Sequence, residues 1–212
     1  MTNAKVVDLE NKSKVLFTYA HISRVEGERR NIENTFFDLQ GNQVVVEHAS
    51  LGDNGVTLYN YRVEQKQTGG EGSIQVHAGT AELKYTIGGK TKTSSTSAGP
   101  DLIAGPTLAN FLRANWSKLM GGEKIKARFV ALERAEAVGF EYFKDGESEV
   151  NGQKAVVIKM KPSSFLIAAL VNPIKLYFTP DGKKLLQFEG RTLPKIKSGD
   201  KWKDLEALTI YE

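Results

Sequence analysis

Apolar and polar residues alternate through most of the first ninety or so positions, the period of strands with one buried face. Over 15–22, Val15, Phe17 and Tyr19 fall on one side, with Leu16, Thr18, Ala20 and Ile22 on the other. A second extended segment, 30–39, ends at Gln40-Gly41-Asn42, and Val44-Val45-Val46 begins the next, which is a hairpin signal. Gly52-Asp53-Asn54-Gly55 marks another turn. Strands are then expected over 56–67, 73–78 and 81–87, separated by Gly69-Gly70 and Gly79-Thr80. Several of these runs exceed the usual five or six residues of a strand. Long strands joined by tight turns predict a broad, curved meander.

The pattern changes at 88–106, where a Thr/Ser run up to Ser97 and Gly99-Pro100 read mostly as a flexible connection, with Lys90 to Thr93 able to extend a strand. Leu108, Phe111, Leu112, Trp116, Leu119 and Met120 then recur at helical spacing. They predict one amphipathic helix over 106–120, opened by Pro106 and stopped by Gly121-Gly122. Strands resume at 124–132, 137–144 and 154–161, and a hairpin turn at Pro180-Asp181-Gly182 joins 176–179 to 185–191. A closing strand is expected over 202–211. Meander, helix and second meander need a shared core, so residues 1–212 are expected to form a single β-rich domain.

Composition narrows the function more than it defines it. Forty per cent hydrophobic and 25% charged residues are ordinary globular values. A formal charge of +4 is too small to imply nucleic acid without a concentrated patch, and none is expected as a partner. The absence of cysteine removes disulfides, thiolate nucleophiles and Cys-based zinc sites. The polar start Met1-Thr2-Asn3-Ala4-Lys5 shows no signal peptide, leaving a cytoplasmic protein or one whose export signal has been removed.

Catalytic signatures are lacking: there is no G-x-S-x-G elbow and no H-E-x-x-H pair. Gly88-Gly89-Lys90-Thr91 lacks the first glycine of a phosphate loop, because position 84 is lysine. His21, His48 and His77 would form a metal site only if three strands turned them to one side. They read more simply as separate strand residues, so no metal and no cofactor is expected. Glu133, Glu136, Glu141, Glu147 and Glu149 read as the solvated face of strands. The helical stripe either seals the core or lines an apolar cavity. Seven apolar residues, 165–171, lie between Pro162 and Pro173, and are expected to close one end of the sheet, with Phe165 sharing an apolar space with Trp116. Four lysines gather around Trp202 at 194–203, either as a solvated hairpin loop or as a contact for anionic lipid or nucleic acid.

Phe111-Leu112-Arg113-Ala114-Asn115-Trp116, Val138-Gly139-Phe140, Lys161-Pro162-Ser163-Ser164-Phe165-Leu166-Ile167 and 186–192 (LQFEGRT) carry a resemblance. The chain resembles uncharacterised exported bacterial proteins similar in layout to the periplasmic lipoprotein-localisation factors. That resemblance implies a strongly curved antiparallel sheet, an unclosed or half β-barrel, with an amphipathic helix covering its concave face. It also implies a periplasmic location and an acyl-chain ligand. The expected function is therefore a non-enzymatic periplasmic carrier or binding protein for a lipid or other hydrophobic molecule, with Phe111, Trp116, Phe165 and Ile167 at the ligand. A membrane surface or an envelope protein is a further expected partner. The alternatives are an envelope interaction protein with a filled core and, less well supported, a hydrolase or metal enzyme built on the three histidines.

Overall fold

The structure is a computed structural model and describes residues 2–164 and 172–212. Its strands are β1 (Thr2–Asp8), β2 (Val15–Glu26), β3 (Arg29–Phe37), β4 (Gln43–Gly52), β5 (Leu58–Gln65), β6 (Gly70–His77), β7 (Thr80–Ile87), β8 (Lys90–Ser97), β9 (Leu102–Ile103), β10 (Ile125–Ala131), β11 (Glu136–Val150), β12 (Gln153–Pro162), β13 (Ile174–Phe178), β14 (Leu185–Ser198) and β15 (Lys201–Tyr211). They form a single 15-stranded sheet in which each strand lies beside its sequence neighbour, apart from the break between β8 and β9. The first and last strands also pair, Ala4 with Tyr211 through Asp8 with Ala207, so the two halves of the chain share one sheet. Every pairing is antiparallel apart from β9 with β10.

This sheet is strongly curved and nearly closed into a barrel, in keeping with the unclosed barrel expected. The two free edges are brought together by side chains. Arg128 on β10 forks onto Asp101 at 2.7 and 2.9 Å, and donates to Thr96 Oγ1 at 2.7 Å and to the Ser97 carbonyl at 3.0 Å on β8. Ser94 Oγ donates to the Ala135 carbonyl at 2.5 Å. The Thr/Ser run read as a connection is thus the strand β8, paired with β7 from Thr80–Ser97 to Ile87–Lys90. Its hydroxyls replace apolar side chains because this is an edge strand over the seam, where little surface is buried.

The expected helix is two: α1 (Gly105–Ala114) and α2 (Trp116–Met120), broken at Asn115. Asn115 takes non-helical torsions, and its side chain donates to the Phe111 carbonyl at 2.9 Å, competing with the helical ladder. Both helices lie against the inner face of β10–β13. Leu108, Phe111, Leu112 and Leu119 pack there with Tyr142, Ile158, Met160, Leu176 and Phe178. Burial of each large apolar side chain contributes about 1.5–3 kcal/mol. A second cluster, from β1 to β7 with Leu102, Val130, Leu132 and Leu205, fills the other side of the barrel.

Alternating strand direction sends the turns to two ends. At one end are 27–28, 53–57, 78–79, 151–152 and 179–184; at the other, among the described residues, are 9–14, 38–42, 66–69, 88–89, 132–135 and 199–200. The helices stopper the first end. There Asn110 donates to the Gly55 carbonyl at 3.1 Å, and Arg113 donates to the Lys183 carbonyl at 3.1 Å. The second end is closed differently.

Candidate functional site

β14 leaves regular pairing with β15 between Arg191 and Lys195. Beyond this irregularity, which contains Pro194, the hairpin tip crosses the second end of the barrel. Gln65, at the end of β5, donates to the Leu193 carbonyl at 2.8 Å. Gln67 donates to the Lys195 carbonyl at 2.9 Å and accepts from the Lys195 amide at 2.7 Å. β5 and β14 lie six places apart in the sheet order, so these bonds span the lumen rather than neighbouring strands. The tip is a strap across a mouth.

Under the strap is a recess of about 510 Å3, lined by Gln67, Thr68, Tyr85, Ile87, Glu133, Lys195 and Trp202. Lys195 Nζ sits 2.8 Å from both Glu133 and Asp204, and Asp204 is also paired with Arg191. Burial alone would lower the Lys195 pKa, but hydrogen bonds and charge from Asp204 and Glu133 outweigh it and raise it. Burial pulls Asp204 the other way, and the Lys195 and Arg191 contacts hold its carboxyl below the usual range. An ammonium fixed between two carboxylates is neither a general base nor a nucleophile. The cluster holds the strap and leaves the wall charged. Thr68 Oγ1, hidden from solvent at the recess wall, has no hydrogen-bond partner among the described residues, so one polar group remains to be satisfied.

The apolar part of the mouth is Ile87 and Trp202, each 39% exposed. The lysines lie beside them for reasons of register. Cross-strand partners point to the same face, so Lys90 stands beside Ile87, Lys92 beside Tyr85, and Lys197 beside Trp202. Lys197 Nζ is 5.8 Å from the centre of the Trp202 ring, a cation–π contact. A second recess of about 690 Å3 lies along the seam between Ser94–Thr96 and Ala135–Gly139, with Ser163 and Ser164. Both volumes fall in the roughly 300–1,000 Å3 range of small-molecule sites.

A different polar group sits inside the barrel. Glu47, buried on β4, accepts from Tyr61 at 2.5 Å and from Asn34 at 3.1 Å, and Asn34 accepts from Tyr19 at 2.9 Å and from His21 at 2.7 Å. Burial raises the Glu47 pKa, opposed by the Tyr61 and Asn34 bonds. A Cβ on Gly105, the first residue of α1, would lie 3.7 Å from the carboxylate, so the group also meets the start of the helix. Its donors and acceptors satisfy one another, and neither recess is lined by it.

Phe111 is buried, its ring 5.4 Å from that of Tyr142, and Trp116 packs 5.4 Å from Phe178. Both belong to the helix-stoppered end and line neither recess. Phe165 and Ile167, with the whole expected closing segment 165–171, lie outside the described residues. The histidines are not brought together. His21 joins the Glu47 network, whereas His48 and His77 are exposed, and among the described residues no three His, Cys, Asp or Glu side chains gather as a metal site. Sequence reasoning reached the Lys/Trp loop, read Glu133 as a solvated strand residue, and missed Gln65, Gln67 and Tyr85. No periodicity marks them, since their role depends on a hairpin bending over strands 128 positions earlier.

No family model and no curated protein matches the sequence. Among solved structures, the chain is similar to a crystal structure of a β-barrel-like protein of a domain of unknown function (DUF1849) from Brucella abortus. The two share 9% identity with a TM-score of 0.50, over 100% of this chain and 94% of that one. At that identity the likeness establishes a shared fold alone: the chain has a β-barrel-like architecture.

Proposed function

We propose that the protein is a non-enzymatic carrier or binding protein for a lipid or other hydrophobic molecule, acting in the periplasm as the resemblance to lipoprotein-localisation factors implies. The observation that carries this reading is the unequal closure of the two barrel ends. One end is stoppered by packed helices. The other, among the described residues, is crossed by a strap held through the Gln65 and Gln67 hydrogen bonds, the Lys195–Glu133 ion pair and Leu193 packed on the core. It lies above a recess that joins Trp202 and Ile87 to a Thr68 hydroxyl with no partner among the described residues. An amphipathic molecule suits such a mouth: its apolar part lies against Trp202 and Ile87, and each methylene it removes from water contributes about 0.8 kcal/mol. Ligand exchange then proceeds by lifting the strap.

A second reading, an envelope interaction protein with a filled core, is favoured by the close packing of Phe111 and Trp116. Native mass spectrometry followed by denaturing lipid extraction, with titration of a hydrophobic fluorescent probe into delipidated protein, separates the two. The carrier reading expects an apolar molecule or a saturable probe site, with uptake faster in a Gln65→Ala/Gln67→Ala variant. A protein that holds no lipid and binds no probe in either form is the filled-core protein.

A further inference from the structure

The mouth end is also the end that shows apolar side chains to solvent. Of the six exposed large hydrophobic residues among the described residues, five (Leu9, Leu39, Ile87, Ile196 and Trp202) belong to its turns and strand ends, and only Val25 lies at the other. The strap is unusual in exposing both faces. Trp202 pairs with Lys197 on the recess side, and Ile196 pairs with Lys203 on the opposite side. A hairpin that only sealed a core would need one apolar face. Here apolar groups and lysines alternate on both.

Charge is concentrated at the same place. Lys197, Lys201 and Lys203 surround the 199–200 turn, and Lys90 and Lys92 come from the β7–β8 hairpin across the recess. None of these five lysines forms an ion pair among the described residues. Asp200 is the one acid within that turn. The other turns of this end mix charges, with Asp8, Glu10, Lys12 and Lys14 around Leu9 and Asp38 beside Leu39, whereas the 87–92 and 196–203 tips carry five lysines against the single acid Asp200.

We propose that this end docks on an anionic lipid bilayer, with Ile196 and Trp202 at the headgroup–acyl boundary and the five lysines against lipid phosphates. An indole with one polar edge suits that boundary, and lysine stems can lie on the apolar surface while their ammonium groups reach outward. A nucleic-acid strand would use the lysines and an indole, but leaves no role for Ile196 or Ile87. The inference stands whether or not the barrel carries a ligand, and probe titration of the same preparation reports on that reading separately.

Sedimentation with vesicles tests it. The protein should pellet with phosphatidylcholine vesicles that contain phosphatidylglycerol, remain in the supernatant with pure phosphatidylcholine, and be released by raised salt. Binding should shift the indole emission to the blue, and Trp202→Phe, which leaves Trp116 in place, should abolish the shift. Replacing Lys197, Lys201 and Lys203 together by Gln should weaken binding about 100-fold. Ile196→Ser with Trp202→Ala should cost at least about tenfold. These side chains are exposed, so the melting curves should not move. No binding to either vesicle, equal binding to neutral vesicles, or unchanged affinity in the variants overturns the proposal. So does salt-sensitive binding of a single-stranded oligonucleotide by a protein that ignores vesicles.

Discussion

Glu47 and Tyr142 are two buried polar residues of opposite kinds. Glu47 has partners, and its raised pKa makes it a pH-dependent liability. A carboxyl whose folded pKa lies above its unfolded value binds more protons in the folded state. Its contribution is therefore complete below the unfolded pKa and lost as pH rises through the folded one. Glu47→Gln keeps hydrogen-bonding capacity without the charge, so its melting temperature relative to the parent should rise as pH increases from the usual glutamate range. A difference constant with pH would show that the carboxylate is no more costly folded than unfolded. Tyr142 is fully buried against Phe111, and its hydroxyl has no partner among the described residues. Burial drives its pKa upward. Removing an unsatisfied group should help: Tyr142→Phe is expected to be neutral or to stabilise by about 1 kcal/mol, read from the urea midpoint.

At the scale of elements, each end of the barrel rests on a contact that can be broken by itself. At the stoppered end, Gly182 combines a φ of +72° with the indole of Trp116, whose Cδ2 would be 2.5 Å from an added Cβ. Gly182→Ala should therefore strain the turn and displace α2, costing about 1–3 kcal/mol in thermal or chemical unfolding. At the mouth, Gln65 and Gln67 hold the strap to β5. In the double alanine variant, hydrogen exchange should quicken at 192–204 while the β1–β15 ladder stays protected. Uniform loss of protection would mean that the strap is part of the cooperative core. The turn chemistry of Pro180-Asp181-Gly182 was legible in the sequence. That Trp116 packs on it was not, because the helix and the turn are separated by most of the second meander.

For the whole molecule, the question is closure. A meander whose first and last strands pair leaves one gap, here between β8 and the β9–β10 edge. Arg128 spans it, and Asp101 is held below the usual carboxylate range mainly by its hydrogen bond to that guanidinium. Arg128→Ala should loosen the seam, exposing β8 to exchange and costing about 1–2 kcal/mol, a contribution moderated by partial exposure. For a depressed carboxyl the sign is opposite to that of Glu47: the Asp101 contribution is present above its unfolded pKa and lost as pH falls. The parent's advantage over Arg128→Ala should accordingly shrink in acid.

The alternation of 15–22, 30–39 and 81–87, the glycine turns and the stripe from Leu108 to Met120 determined, without tertiary information, a mainly antiparallel β protein with a helical element against its sheet. These signals are local, since strand and helix periods compare each residue with neighbours a few positions away. Only the tertiary structure decided that the sheet bends far enough to bring β8 to β10, that Asn115 splits the helix, and that the strap reaches Gln65 and Gln67. The same holds for where the chemistry sits. Phe111 and Trp116 looked like ligand residues because aromatic stripes serve cores and cavities alike, and only their position at the stoppered end showed them packed on Tyr142 and Phe178. The Lys/Trp loop became a candidate for the converse reason: register sets Lys197, Lys90 and Lys92 beside Trp202 and Ile87, and register depends on which strands meet.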